Sequence, residues 1–251
     1  MIYFIGAGPG DVDLITVRGA EILSQSGMII YAGSLVNYEL VKKYARDDCE
    51  IYNSASMTLS EIAEKLISGH RRGLTVARLH SGDPSLYGAI REQINILDDH
   101  NIPFEIIPGV SSLFAAAATL ECEYMIPGAS QTLIITRLEG RTPVPDRESI
   151  KSLAAHKSSM AIFLSASMVD KVCSELITGG YESRTPAAVV YKASWPDELI
   201  ILGTLETIPE TAKELGISKS ALILVGRFLL DDIYFEKSKL YDEDFSHEFR
   251  K

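Results

Sequence analysis

Glycine and polar residues follow two apolar segments of this chain, directly where each segment ends. Residues 2–5 lead into Gly-Ala-Gly-Pro-Gly-Asp at 6–11. Residues 74–80 lead into Ser-Gly-Asp-Pro-Ser-Leu-Tyr-Gly at 81–88. Glycine lets a backbone approach a ligand closely, and a carboxylate such as that of Asp83 accepts hydrogen bonds. Because ligands of open parallel sheets bind at the carboxyl ends of strands, the two loops are predicted to face one ligand.

The first glycine loop partly matches the dinucleotide fingerprint Gly-x-Gly-x-x-Gly, but its details disfavour NAD binding. Gly10 follows Gly8 by two residues instead of three, and Pro9 stiffens the turn where a helix would have to begin. Helical periodicity resumes only near Thr16, so no helix N-terminus is predicted under the glycines. The apolar run at 28–32 also ends without the acidic residue that binds a ribose. A plain connecting turn stays open as the alternative.

The composition is typical of a globular protein of one large or two modest domains. The chain has 251 residues, of which 46% are hydrophobic and 23% charged, and its net charge is -10. No apolar run reaches the roughly 18 residues of a membrane span and no signal sequence is visible, which predicts a cytoplasmic protein without a membrane partner. The acidic balance disfavours a nucleic-acid partner. Cys49, Cys122 and Cys173 lack His neighbours at ligand spacing, so no metal site is predicted.

The spacing of apolar residues predicts two α/β domains, at 1–121 and 122–230, followed by a charged tail at 231–251 whose order stays open. The first domain is predicted to hold a mainly parallel sheet, with strands at 2–6, 27–32, 49–52, 74–80 and 103–107. Helices are predicted at 17–26, 58–70, 85–99 and 108–120, the last beginning at Ser111 or Ser112. The second domain is predicted to hold a mixed sheet, with strands at 131–136, 160–165, 187–192, 199–202 and 221–230 and a helix near 207–214.

Four strings of residues together resemble the tetrapyrrole methylase family. They are GAGPGD at 6–11, SGDPSLYG at 81–88, PGVSS at 108–112 and VVYKAS at 189–194. The resemblance extends to about residue 230. It implies a homodimeric enzyme with two α/β domains and a cleft between them that holds S-adenosylmethionine, which leaves as S-adenosylhomocysteine. It also implies a small-molecule tetrapyrrole as the substrate.

Three longer strings are similar to the branch of this family that methylates C-11 of precorrin-4 in corrin synthesis. They are RLHSGDPSLYGAI at 78–90, GASQTLIITRLEGRTPVP at 128–145 and IFLSAS at 162–167. Whether the ring carries cobalt stays open. The alternatives are another position on a corrin precursor, ribosomal RNA, the modified histidine of elongation factor 2 as for diphthine synthase, and an NAD-dependent reductase of corrin pathways. The acidic balance disfavours the RNA substrate.

Carried over residue by residue, the resemblance implies a set of contacts with the cofactor. These contacts are Pro9, Ser81, Gly82, Asp83, Leu86, Ser111, Ser112, Leu164 and Ala193. Leu164 stands where many relatives carry Met, so its contact is retained if the backbone makes it. These assignments rest on analogy with the family.

Methyl transfer from a sulfonium needs in-line positioning more than a strong base, because the methyl group is already activated. No Ser/His/Asp or Cys/His array is visible in the sequence. His80 is the candidate base for the proton that leaves the ring, and Asp83 is a candidate positioning residue. The alternatives are a structural hydrogen-bonding role for His80 and a helix-capping turn for Asp83.

The carboxylates of a tetrapyrrole require local basic side chains on this acidic protein. The candidates for this contact are Arg78, Arg137, Arg141 and Lys192, which lie in or next to the motifs. Arg137 and Arg141 are favoured because the Pro-rich loop at 140–146 is predicted to close over the substrate. A solvated surface charge is the alternative for each of them.

Overall fold

The computed structural model describes residues 1–230, 238, 245, 246 and 248. The chain forms two compact units. Met1–Ala115 and Lys192–Asp197 make the first, and Ala116–Tyr191 with the described residues from Glu198 onward make the second. The Lys192–Asp197 segment thus belongs to the first unit although the residues on either side of it belong to the second. The tail predicted at 231–251 lies almost wholly outside the described residues.

Five parallel strands form the sheet of the first unit, as predicted. They are β1 (Ile2–Gly6), β2 (Met28–Tyr31), β3 (Glu50–Asn53), β4 (Val76–His80) and β5 (Phe104–Ile107). The strand order is β3-β2-β4-β1-β5, and every neighbouring pair is parallel. β1 lies between β4 and β5, so the loops that follow these three strands begin side by side at the carboxyl edge of the sheet.

The helices of the N-terminal half begin at polar capping residues where the sequence offers them. They are α1 (Val17–Gln25), α2 (Tyr38–Tyr44), α3 (Leu59–Arg71), α4 (Ile90–Asp99) and α5 (Ser112–Thr119). Thr58 and Glu61 form a reciprocal capping box at the start of α3. The helix predicted from residue 85 begins only at Ile90, because Tyr87 (φ 56°) and Ala89 (φ 49°) adopt left-handed conformations that a helix does not accommodate.

A mixed sheet organises the described part of the second unit, as predicted. Its strands are β6 (Leu133–Arg137), β7 (Ser159–Phe163), β8 (Pro186–Tyr191), β9 (Leu199–Thr204) and β10 (Ala221–Val225), in the order β6-β7-β10-β8-β9. β6 and β7 are parallel and the other pairs antiparallel. Its helices are α6 (Ile150–Ala154), α7 (Val169–Thr178) and α8 (Ile208–Glu214). The antiparallel pairing predicted for the last three strands is confirmed.

Buried apolar side chains fix the strands in both units. Ile5, Leu79 and Ile107 belong to the cluster on one face of the first sheet, and Phe4 and Leu66 belong to the cluster on the other. Each fully buried side chain of this size contributes about 1.5–3 kcal/mol to folding, so the strand ends are held rigidly. Among the described residues, no helix has both the length and the apolar character that crossing a membrane requires.

Candidate functional site

Three loops meet backbone to backbone at the carboxyl edge of the first sheet. Gly8 and Gly82 exchange two backbone hydrogen bonds, of 3.3 and 2.8 Å. A Cβ on Gly109 would lie 2.2 Å from the carbonyl oxygen of Gly82, and a Cβ on Gly6 would lie 2.5 Å from the Cα of Gly109. No other residue type fits there. Gly6, Gly8, Gly82 and Gly109, which we call the glycine junction, therefore join the loops that follow β1, β4 and β5.

The carboxylate of Asp83 ties two of these loops together. Its Oδ2 accepts a hydrogen bond from the backbone N–H of Gly109 at 2.8 Å. Its Oδ1 accepts from the backbone N–H of Ser85 at 2.8 Å and from the hydroxyl of Ser85 at 2.5 Å. Partial burial raises the pKa of Asp83, but the bonds from Ser85 and Gly109 outweigh burial and leave that pKa below its ordinary value. Asp83 is therefore charged and positions the glycine junction.

The two serines of the third loop lie against the second loop. A Cβ on Gly82 would lie 3.4 Å from the Cα of Ser111 and 3.7 Å from the backbone nitrogen of Ser112. The buried hydroxyl of Ser111 accepts a hydrogen bond from the backbone N–H of Leu113 at 3.2 Å, which satisfies a donor in the first turn of α5. Ser111 is thus the residue that starts the helix, and α5 begins at the edge of the glycine junction.

Side chains from two other segments hold the first loop. The indole Nε1 of Trp195 donates to the carbonyl of Pro9 at 2.9 Å. The amide of Asn37 donates to the carbonyl of Gly10 at 3.1 Å. The hydroxyl of Ser194 accepts from the backbone N–H of Asp11 at 3.0 Å. Asn37, Ser194 and Trp195 are not among the predicted site residues, although the only tryptophan of the sequence directly follows the fourth motif.

Seven of the predicted cofactor contacts lie on the three loops of the glycine junction. They are Pro9, Ser81, Gly82, Asp83, Leu86, Ser111 and Ser112. Ala193 belongs to the same unit and is buried in the Lys192–Asp197 segment. Leu164 lies in the second unit, and its contact with the cofactor stays a prediction.

Leu164 is presented to solvent by a strained turn at the end of β7. Its backbone is left-handed (φ 53°) and its side chain is 64% exposed. The buried hydroxyl of Ser165 stabilises this turn, because it accepts from the N–H of Leu138 at 2.9 Å and donates to the carbonyl of Phe163 at 2.7 Å. A bulky residue in this conformation costs about 1–3 kcal/mol and is characteristic of functional sites.

Arg78 and His80 are both buried. Arg78 donates from Nε to the side chain of Gln93 at 3.1 Å and from Nη1 to the carbonyls of Ile30 and Leu79, both at 3.3 Å. Burial lowers the pKa of Arg78 to about 10, so the guanidinium stays charged at neutral pH. The structure argues against the substrate contact predicted for Arg78, because each of these donors is used inside the sheet layer.

His80 packs against Phe4 with a ring centroid distance of 5.9 Å. Burial and, to a smaller extent, the charge of Arg78 lower the pKa of His80 to about 3. A hydrogen bond with the backbone of Gly88 raises this pKa but does not offset the other two effects. Nε2 of the ring is buried and has no hydrogen-bond partner among the described residues. A base with so low a pKa hardly accepts a proton at neutral pH, and the base role of His80 stays a prediction.

Replacing His80 with glutamine is expected to reduce the acid sensitivity of the fold. The unfolded histidine binds a proton near pH 6.5, whereas the buried ring stays neutral until about pH 3. Stability is therefore complete above the unfolded pKa and falls as the pH drops towards the folded pKa. From pH 7 to pH 5 the free energy of unfolding of the wild type should fall by about 2 kcal/mol because of this one group. His80→Gln should not show this loss.

Urea unfolding at the two pH values measures this difference, and the exposed His156 offers the control variant His156→Gln. The control should retain the pH dependence of the wild type. Equal slopes for His80→Gln and the wild type would show that the ring titrates normally in the folded protein.

The basic candidates of the second unit differ in what they contact. Arg137 donates from Nη1 to the carbonyls of Leu138 at 3.3 Å and Thr142 at 3.2 Å, and from Nη2 to the carbonyl of Pro143 at 2.9 Å. It therefore organises the Pro-rich loop from within. Arg141 lies exposed on that loop.

Lys192, the fourth basic candidate, forms an ion pair of 2.5 Å with Asp197 in the first unit. As for metals, the described residues include no group of three or more His, Cys, Asp or Glu side chains that could hold an ion.

A model of the tetrapyrrole (corrin/porphyrin) methylases matches residues 1–209 of the chain. The protein therefore belongs to the tetrapyrrole methylase family, and it is a methyltransferase. It is 55% identical over 250 residues to the cobalt-precorrin-4 C(11)-methyltransferase of Methanocaldococcus jannaschii, with 100% of this chain and 96% of that protein covered. It is 46% identical to the precorrin-4 C(11)-methyltransferase of Pseudomonas aeruginosa, with 99% and 98% covered.

Solved structures share the fold. The X-ray structure of a cobalt precorrin-4 methyltransferase matches with a TM-score of 0.88 and 46% identity, covering 91% of this chain and 95% of that one. The uroporphyrin-III C-methyltransferase of Thermus thermophilus, solved with S-adenosyl homocysteine, matches with a TM-score of 0.75 and 25% identity, covering 91% and 98%. The fold predicted from the four motifs is confirmed.

Proposed function

We propose that this protein transfers a methyl group from S-adenosylmethionine to C-11 of cobalt-precorrin-4 or precorrin-4 in cobalamin biosynthesis. The observation that carries the proposal is the 55% identity, along the whole chain, to a relative of that name. The 46% identity to relatives named for the cobalt and the metal-free substrate supports the same ring position. Because the relative at 55% identity is named for the cobalt form, we expect the cobalt-containing ring to be preferred.

The glycine junction fits the proposed methyl donor. Four glycines let the backbones of three loops pack against one another at the edge of the sheet, which places the predicted donor contacts on these loops close together. Asp83 already accepts three hydrogen bonds, and a carboxylate has about four acceptor positions. At most about one position then remains for a ligand. Asp83 therefore acts mainly by shaping the loops and only secondarily by a direct contact.

S-adenosylmethionine would supply a methyl group that is already activated for transfer. The chain's own task is then to orient the donor and the acceptor carbon, and positioning of this kind can supply about 7–11 kcal/mol of the barrier. The predicted contacts Pro9, Ser81, Gly82, Leu86, Ser111, Ser112 and Ala193 would hold the donor, and Leu164 stays a further predicted contact. Neither His80 nor Asp83 is placed to remove a proton at neutral pH, since one is buried and neutral and the other is an engaged carboxylate.

On the substrate side, Arg141 is the strongest candidate for a carboxylate contact. The donors of Arg137 are directed to the carbonyls of its own loop, and this arrangement holds Arg141 at the exposed surface of the loop. An exposed guanidinium recognises a carboxylate with two parallel hydrogen bonds. The homodimeric state is a further part of the proposal and rests on the family resemblance, and the cytoplasmic location stays a prediction.

Donor binding and ring position are tested separately. Calorimetry with S-adenosylhomocysteine should give saturable heat, and the absence of heat and of competition at millimolar ligand would reject the donor. Incubation with S-adenosylmethionine and either cobalt-precorrin-4 or precorrin-4 should add one methyl group, seen by mass spectrometry and assigned to C-11 by NMR. Methylation at another carbon would keep the enzyme class and reject the ring position.

A further inference from the structure

We propose that Trp195 and Ser194 are positioning residues of the methyl-donor site, acting through the first glycine loop. The inference rests on the proposed function, because that loop carries the predicted donor contact Pro9. The two residues touch the loop and have no assigned contact with donor or substrate. They belong to the Lys192–Asp197 segment, which packs with the first unit.

The first loop depends on side chains from outside for its shape. Its consecutive residues Pro9, Gly10 and Asp11 each use one backbone group in a hydrogen bond to a side chain far away in sequence. Two of the three bonds come from Ser194 and Trp195, at 3.0 and 2.9 Å. A loop without its own regular structure adopts one conformation only when such contacts hold it. The Lys192–Asp197 segment therefore supplies two of these three side-chain hydrogen bonds to the loop.

The indole ring also explains why residue 10 is glycine. A Cβ on Gly10 would lie 2.0 Å from Cδ1 and 2.2 Å from Nε1 of Trp195, and its three nearest neighbours are all atoms of this ring. Gly10 does not adopt a left-handed conformation, so its backbone accepts alanine without strain. The three atoms closest to a side chain at this position are thus all atoms of the tryptophan.

The segment itself is held in a strained shape that directs these two side chains to the loop. Lys192 (φ 48°) and Ser194 (φ 68°) have left-handed backbones, which cost free energy for residues other than glycine. A turn bond from the N–H of Trp195 to the carbonyl of Lys192 (2.9 Å) and the ion pair between Lys192 and Asp197 (2.5 Å) stabilise this shape. Lys192 Nζ also lies 5.2 Å from the centre of the indole ring.

The first test compares Trp195→Phe and Ser194→Ala with the wild type. Each variant removes one neutral hydrogen bond to the loop, so each should weaken binding of S-adenosylhomocysteine by about fivefold in calorimetry. The Michaelis constant for S-adenosylmethionine should rise by the same factor, while kcat at saturating donor stays unchanged. Tyr52→Phe and Ser183→Ala are matched controls, because each loses a side-chain hydrogen bond to a glutamate away from the glycine junction. Donor affinities of Trp195→Phe and Ser194→Ala equal to those of the controls would overturn the inference.

A double-mutant cycle tests the contact between Gly10 and Trp195 directly. Its result does not depend on the stability of any one variant. Gly10→Ala should weaken donor binding by about tenfold or more in the wild-type background, because the new methyl group displaces the indole. In the Trp195→Ala background the same change should cost less than about twofold. Equal costs in both backgrounds would overturn the inference and leave the proposed function standing. A wild type that binds no S-adenosylhomocysteine would instead overturn both.

Discussion

Gly109→Ala should abolish binding of S-adenosylhomocysteine and destabilise the protein by about 3 kcal/mol or more. The added Cβ would lie 2.2 Å from the carbonyl oxygen of Gly82 and 2.6 Å from the Cα of Gly6. Both neighbours are backbone atoms of loops that follow buried strands, so neither can rotate away. Relief requires the three loops to separate, which breaks the bond from Gly109 to Asp83 as well. Urea unfolding and calorimetry measure the two effects.

Gly73→Ala is the matched control for this substitution. No atom lies within 4 Å of the Cβ that it would add, although its φ of +75° makes alanine costly by about 1–2 kcal/mol. The control should therefore lose some stability and keep full donor affinity. A Gly109→Ala variant that behaves like Gly73→Ala would contradict the close packing of the loops.

The strands of the first sheet could be predicted because each is a short apolar run bounded by polar residues or glycine. Buried parallel strands show this sequence pattern whichever strands lie beside them in the sheet. The convergence of the first two loops also followed from the rule that loops after parallel strands share one edge, and the bonds between Gly8 and Gly82 bear this out. What the pattern could not provide was the strand order, which places β5 and hence Gly109 beside β1.

Contacts between distant residues account for most of what was missed. Asp83 and Gly109 are 26 positions apart, and Trp195 and Pro9 are 186 apart. Local periodicity carries no information on such pairs. From the sequence alone, Ser194 and Trp195 could equally well be surface residues without a contact to the first loop. The late start of α4 was also missed, since alanine has a high helix propensity whereas the backbone of Ala89 is left-handed.

The burial of Arg78 and His80 could have been predicted from the sequence. Both lie within β4, at alternate positions with Val76, and therefore on one face of the sheet. A central parallel strand is covered on both faces, so polar side chains along it are expected to be buried and to act structurally. Arg78 and His80 were assigned functional roles because they are close in sequence to the second loop. Their alternation along the strand indicated instead that their side chains are buried.

Asp83→Asn is expected to weaken donor binding by at least about tenfold, at a cost of about 2–3 kcal/mol for the lost charged hydrogen bonds. The amide has the shape of the carboxylate but replaces one accepting oxygen with a donor. Either Gly109 or Ser85 then faces a donor with its own backbone N–H. Asp48→Asn is the control, because Asp48 is an exposed carboxylate paired with Arg46, and it should leave donor affinity unchanged.

The pH dependence of donor binding tests whether the carboxylate of Asp83 stays charged in the folded protein. The pKa of Asp83 lies below its ordinary value of 3.8 in the folded protein, so its contribution is present above that value and is lost as the pH falls through the folded pKa. Wild-type affinity should therefore hold from pH 7 to pH 5 as far as this residue is concerned. The penalty of Asp83→Asn should be constant over the same range, since neither carboxylate nor amide changes its protonation there. A penalty that grows or disappears between pH 5 and pH 7 would show that Asp83 titrates near neutrality, which the three hydrogen bonds to its carboxylate do not permit.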